Sequence, residues 1–168
     1  MKKAAAAIGL VIFLFTLAGC VSYSFTGASI PPNAKTISIQ YFENKAALVE
    51  PTLSQSLTDA LRDRFQSQTP LNLVTNGGDL QIEGVITDYT TRPQAIQEND
   101  KAATNRLTVQ IKVKFTNTLD PSKDYESSFS RFEDYSSTQD LNQVKDQLIA
   151  LITDALVEDV FNKSVVNW

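Results

Sequence analysis

Cys20 has the most narrowly specified chemistry of any residue in this 168-residue chain. The run Leu17-Ala18-Gly19 before it is the small-residue pattern that lipoprotein signal peptidase cuts ahead of a cysteine, which makes its thiol the expected site of acylation. An uncleaved signal anchor, or an ordinary signal peptide with an incidental cysteine, is the alternative. Burying several acyl chains at about 0.8 kcal/mol per CH₂ would make detachment from a membrane negligible. A second group is cationic. Lys112 and Lys114 stand two residues apart, so on one face of a strand, where paired ammonium groups could meet phosphate. Arg92, Lys101 and Arg106 flank a long polar stretch and form a second possible cluster. Each of these cations is equally well explained as a gatekeeper on a solvent-facing strand.

Catalytic chemistry finds little support. Histidine is absent and the single cysteine is committed to lipid, which removes Ser-His and Cys-His nucleophiles and most zinc sites. Asp59 with Asp63, and Glu133 with Asp134, lack the apolar setting and the spacing of an acid and base pair. Asn76-Gly77-Gly78-Asp79 is not followed by the Lys-Ser or Lys-Thr of a phosphate loop, and no Asp-rich calcium loop is present. The expectation is a non-enzymatic protein without metal or cofactor.

The elements that position these groups follow from charge and periodicity. Met1-Lys2-Lys3 and the apolar stretch Ala4 to Ala18 form an export signal, shorter than the roughly 20 residues of a bilayer-spanning helix. Residues 1–19 are thus read as a lipoprotein signal peptide, 20–35 as a lipidated tether carrying Pro31-Pro32, and 36–168 as a single domain. Without Lys2 and Lys3 the chain holds 13 basic against 19 acidic residues, a balance that does not attract nucleic acid. With Cys20 acylated no disulfide is available, so packing alone must hold the fold.

Thr36 to Phe42 alternates with Ile37, Ile39 and Tyr41 on one face, as a half-buried strand does. Pro51 opens a helix in which Leu53, Leu57, Leu61 and Phe65 recur every four residues, ending near Thr69-Pro70, with Gln55, Thr58, Asp59, Arg62 and Asp63 on the solvated side. Leu71 to Val74 and Leu80 to Tyr89 read as a hairpin about Asn76-Gly77. Thr90 to Thr104 reads as a long excursion between strands. Leu107 to Phe115 alternates strictly, and Tyr125 to Tyr135 supplies its partner after the Asp120-Pro121-Ser122 turn. In that partner Phe129 and Phe132 cannot share a face without a bulge, so either a bulge or an aromatic partner site is expected. Capping oxygens in Ser136 to Asp140 precede a long amphipathic helix through Leu141, Val144, Leu148, Leu151, Ile152, Ala155 and Leu156. The predicted fold is α+β, a two-layer sandwich in which two amphipathic helices cover one face of a mixed four- to five-stranded sheet.

Several stretches carry a family resemblance: the motif at Cys20, Tyr23 to Ile30, Ile37 to Asn44, Asp79 to Gly84, Asn105 to Thr108, Val113 to Asn117, Ser128 to Arg131 and Asp159 to Lys163. Together they resemble the LptE family of lipopolysaccharide-assembly lipoproteins. The resemblance implies a lipid-anchored outer-membrane protein on the periplasmic side, seated as a plug and assembly partner inside the LptD β-barrel. It also implies contact with lipopolysaccharide, for which Lys112, Lys114, Arg92, Lys101 and Arg106 are candidates on chemistry alone. The acidic net charge favours protein contacts as the main task. A rival is an envelope lipoprotein of the CsgG or LpoB kind, acting in secretion or as activator of a cell-wall synthase. It is similar in the first strand, Phe42-Glu43-Asn44 and the Leu53 to Phe65 helix. A third reading is a lipid carrier with an internal cavity.

Overall fold

The computed structural model describes residues 30–94 and 103–165. Among these residues six strands and two helices form two layers: β1 (Thr36–Ile39), β2 (Glu43–Asn44), α1 (Pro51–Gln68), β3 (Asn72–Val74), β4 (Leu80–Pro93), β5 (Thr104–Asn117), β6 (Tyr125–Ser136) and α2 (Leu141–Val165). The sheet runs β3-β1-β4-β5-β6, with β2 resuming beside β4 where β1 stops. It is mixed: β1 is parallel to β3 and β4, whereas β4, β5 and β6 are antiparallel. The α+β sandwich expected from periodicity is thus present, with six strands rather than four to five.

Strict alternation explains where the core lies. Leu107, Val109, Ile111, Val113 and Phe115 of β5 are all buried, and they meet Leu80, Ile82 and Ile86 of β4 on the helix side. Both helices lay their apolar stripes on this face and touch each other through the edge-to-face pair Phe65 and Phe161. Asp140 caps α2 by accepting the Asn142 N–H at 2.9 Å. Among the described residues no helix is long and apolar enough to cross a membrane.

The expected hairpin does not form. β3 and β4 do not pair with each other; both run parallel to β1, which lies between them. The short link Thr75 to Asp79 therefore crosses β1, and Gly78 makes the crossing possible. A Cβ there would stand 2.6 Å from Ser38 N and 2.8 Å from the Ile37 carbonyl carbon, inside the β1 backbone. Asp79 then fastens the link, its carboxylate accepting the Lys35 N–H, the Thr36 N–H and the Thr36 hydroxyl at 2.9 to 3.0 Å. These bonds, the Lys35 N–H first, hold the Asp79 carboxyl below the usual carboxylate range.

The first strand also departs from simple alternation. Between the pairs Ile39–Ile82 and Glu43–Val85 the β1–β2 segment spends one more residue than β4 does. One extra residue reverses the faces, so Phe42 points inward with no exposed surface while Tyr41 is 50% exposed. The Phe42 ring fills the space a side chain at Gly84 would need. Its N–H donates to Thr58 Oγ1, which in turn donates to the Ser54 carbonyl; Thr58 is therefore buried rather than part of the solvated face of α1. Thr90 to Pro93 continue β4 and Thr104 to Arg106 begin β5, so the expected excursion shrinks to the link between Gln94 and Ala103.

Candidate functional site

Among the described residues, the second face of the β4–β5–β6 sheet carries no helix. Alternation places Gln110, Lys112 and Lys114 of β5 there, beside Glu83 and Val85 of β4 and Glu126, Ser128 and Ser130 of β6. Glu83, Lys114 and Glu126 are direct cross-strand neighbours, a row of minus, plus, minus. Lys112 pairs with Glu126, and Lys114 Nζ lies 4.0 Å from Glu83 Oε2. The Glu126 carboxyl is drawn below its ordinary range, first by the Lys112 hydrogen bond and then by the charge of that ammonium. Around these groups lies a shallow depression of about 280 Å³, floored by Gly84 and Val85. The two lysines do share one face, as their spacing requires, but each is matched by a glutamate from a neighbouring strand. A phosphate there would have to displace carboxylates, whose exposed pairs are worth only about 0–1 kcal/mol each.

The second cationic cluster sits toward the other end of the hairpin. Arg92 and Arg106 are directly opposite on β4 and β5. Arg106 donates a bidentate pair to Asp134, Nε to Oδ1 at 2.7 Å and Nη2 to Oδ2 at 2.9 Å, and its guanidinium stacks 3.6 Å over the Phe132 ring. The Asp134 hydrogen bond raises the Arg106 pKa, and the same bond lowers that of Asp134. Like charges directly opposite on adjacent strands repel; Asp134 offsets this for Arg106, while Arg92 is exposed with no ion pair among the described residues. Lys101 and Cys20 lie outside the described residues.

Phe129 and Phe132 are accommodated without the expected bulge. The β5–β6 register is continuous, so β6 has no bulge; Phe129 faces the helices, and Phe132 faces outward against Arg106. The bulge is in β4 instead, between Ile86 and Asp88. Glu83 and Glu126 are the site residues that one-dimensional reasoning missed, and the pairing of Asp134 and Phe132 with Arg106 was not foreseen. Their relation to the lysines and to Arg106 exists only through strand register, which the sequence does not print. Among the described residues no group of carboxylates could hold a metal ion.

A family model described as LptE, lipopolysaccharide-assembly, matches residues 34–164. Solved structures share the fold at low identity. A minor lipoprotein from Acinetobacter baumannii is 15% identical with a TM-score of 0.52, covering 77% of this chain and 91% of that one. A hypothetical protein from Chlamydia trachomatis is 9% identical with a TM-score of 0.54, covering 78% and 98%. A Xanthomonas campestris protein is 12% identical with a TM-score of 0.52, covering 81% and 91%. No curated protein matches the chain.

Proposed function

The chain belongs to the LptE lipopolysaccharide-assembly family, and on that premise we propose that it is an outer-membrane lipoprotein which occupies and stabilises the LptD-type β-barrel through which lipopolysaccharide reaches the outer leaflet. The observation that carries this reading is the extent of the family match, residues 34–164, which takes in α1, every described strand of the sheet and α2 to within one residue of its end. Cys20 supplies the lipid anchor. Residues 20–29 reach at most about 35 Å when extended, which lets the domain stand off the periplasmic leaflet while tethered to it. Lipopolysaccharide phosphates are met by Arg92 and Arg106, which stand side by side, with Lys112 and Lys114 along the same face and Lys101 in the adjoining link. Because Glu83 and Glu126 already match the two lysines, protein contact with the barrel is the main task of that face.

Affinity isolation of the lipidated protein from detergent-solubilised envelopes tests the partnership. Recovery of the lipopolysaccharide-translocon barrel in near-equal amount is expected; recovery of a cell-wall synthase or a homo-oligomeric ring in its place refutes it. Charge reversal of Lys112 and Lys114, with barrel assembly and lipopolysaccharide binding followed separately, tests the site. Unaltered lipopolysaccharide binding removes both residues from it.

A further inference from the structure

Asn76 is the one asparagine of the chain that precedes a glycine. As a turn signal, Asn76-Gly77 has no hairpin to serve, because β3 and β4 do not pair. The same dipeptide carries covalent chemistry. A backbone nitrogen can attack the side-chain amide carbon of an asparagine that precedes it, and a glycine nitrogen is the least hindered because no Cβ shields it.

The link from Thr75 to Asp79 presents both reactants to water. Asn76 and Gly77 are exposed, Gly77 has a φ of 68°, and the place a Cβ of Gly77 would take has no atom within 4 Å. Among the described residues the Gly77 N–H donates to no acceptor, so no hydrogen bond must break before solvent removes its proton. Gln40 faces the amide. It is anchored in the sheet by its own N–H, which donates to Ile82 O at 2.9 Å, and its Nε2 donates to Thr75 O and to Asn76 Oδ1 at 3.0 Å each. The Thr75 carbonyl can only accept, which fixes the Gln40 NH2 toward the link and the Asn76 oxygen toward Gln40. Oδ1 takes the negative charge when the amide carbon is attacked, so a donor already stands where that charge develops. Asn44 and Asn117 also accept hydrogen bonds at Oδ1, but Lys45 and Thr118 follow them, and a side chain shields each nitrogen.

We propose that Asn76 is a site of spontaneous covalent modification, deamidation through a cyclic imide, and that Gln40 promotes it. Gly77 N, having lost its proton to solvent, bonds to Asn76 Cγ; the Cγ–Nδ2 bond breaks, and the nitrogen leaves as ammonia with a proton from water. Water then opens the imide. Addition at Cγ gives aspartate, and addition at the backbone carbonyl carbon gives isoaspartate, whose main chain runs through Cβ and Cγ and is one carbon longer. Either product adds a negative charge three residues before Asp79. The link has no slack for the extra carbon: a Cβ on Gly78 would already stand 2.6 Å from Ser38 N, and Asp79 must reach the Lys35 and Thr36 N–H groups just beyond. The isoaspartyl form therefore loosens the Asp79 clamp and the seating of β1 between β3 and β4.

The test incubates the full-length chain in detergent micelles at physiological temperature and neutral pH. Samples are followed by peptide mass mapping, isoaspartyl methyltransferase labelling and thermal melting. Conversion of the Asn76 amide to acid, label at that peptide and a falling melting midpoint are expected. Gln40→Glu keeps the side chain's size but sets an acceptor against Oδ1; it should slow conversion at least about twofold in the folded chain, the worth of one modest hydrogen bond, and leave the rate in urea unchanged. Asn76→Ser should take no label and hold its midpoint throughout. An Asn76 that stays intact in the folded chain while the urea-unfolded chain converts, equal rates for folded wild type and Gln40→Glu, or a labelled chain that melts with the unmodified midpoint would each overturn the proposal.

Discussion

Replacing Gly84 by alanine tests how the β1–β2 segment is seated over the sheet, and the structure sets the size of the effect. A Cβ at that position would lie 2.2 Å from Phe42 Cε1, 2.6 Å from Cζ and 2.9 Å from the Lys112 carbonyl oxygen. Phe42 has no exposed surface, so its ring cannot swing into solvent, and the carbonyl belongs to β5, paired on both sides by β4 and β6. Overpacking costs about 1–3 kcal/mol, and with both a core ring and a backbone group in the way Gly84→Ala should sit near the top of that range. Phe42→Ala alone should cost about 3–5 kcal/mol through lost burial and a cavity. In the double variant the colliding ring is gone and the new methyl enters the vacated space. Its loss should therefore be smaller than the sum of the two by about 1–2 kcal/mol, leaving only the Lys112 carbonyl crowding. Urea unfolding of the four proteins, compared at a common m-value, measures this coupling. Additivity within about 0.5 kcal/mol would refute the claim that Phe42 and Gly84 fit as a pair.

Asp79→Asn should lower stability at neutral pH. Because the folded Asp79 carboxyl titrates below its unfolded value, its contribution is present above the unfolded pKa and disappears as pH falls through the folded one, so the difference from wild type should close below about pH 4 in acid unfolding. Tyr125 behaves in the opposite sense: burial pushes its pKa up to about 12 despite the hydrogen bond with Ser164. Stability tied to its neutral hydroxyl is complete below about pH 10 and is lost as pH rises toward 12, and Tyr125→Phe should flatten alkaline unfolding across that window. Burial raises the Glu50 pKa, but the Lys145 ammonium, whose Nζ is 3.0 Å from Glu50 Oε2, and Thr52 more than offset this. Lys145→Met should leave a nearly buried carboxylate unpaired, costing about 1–3 kcal/mol, and adding Glu50→Gln should recover part of it in thermal melts.

Strong local signals account for what was legible in the sequence. The five alternating apolar residues from Leu107 to Phe115 and the four-residue spacing from Leu53 to Phe65 each have one consistent burial pattern, and both occur as read. Pairing was legible only in part. Asn76-Gly77 satisfies a hairpin turn, and Gly77 does take a left-handed φ of 68°, yet the adjacent Gly78 serves a close crossing over β1 that only a three-dimensional packing can demand. Likewise the extra residue before Glu43 exchanges the burial of Tyr41 and Phe42; both are aromatic, and nothing local distinguishes which of them turns inward.

The cations show the same division between what is local and what depends on register. Spacing alone puts Lys112 and Lys114 on one face, and that much is present. What surrounds them is decided by Glu83 and Glu126, about thirty residues upstream and a dozen downstream in sequence, brought alongside by the β4–β5 and β5–β6 registers. A face that looked cationic along the chain is therefore nearly neutral in space, suited to contact with another protein. Among the described residues, Arg92 is the one cation of that face without an ion pair. Charge reversal at Lys112 and Lys114 should consequently disturb barrel docking more than lipopolysaccharide binding, while Arg92→Glu should show the reverse order. Equal losses in both assays from both changes would mean that register does not partition the charges as the ion pairs imply.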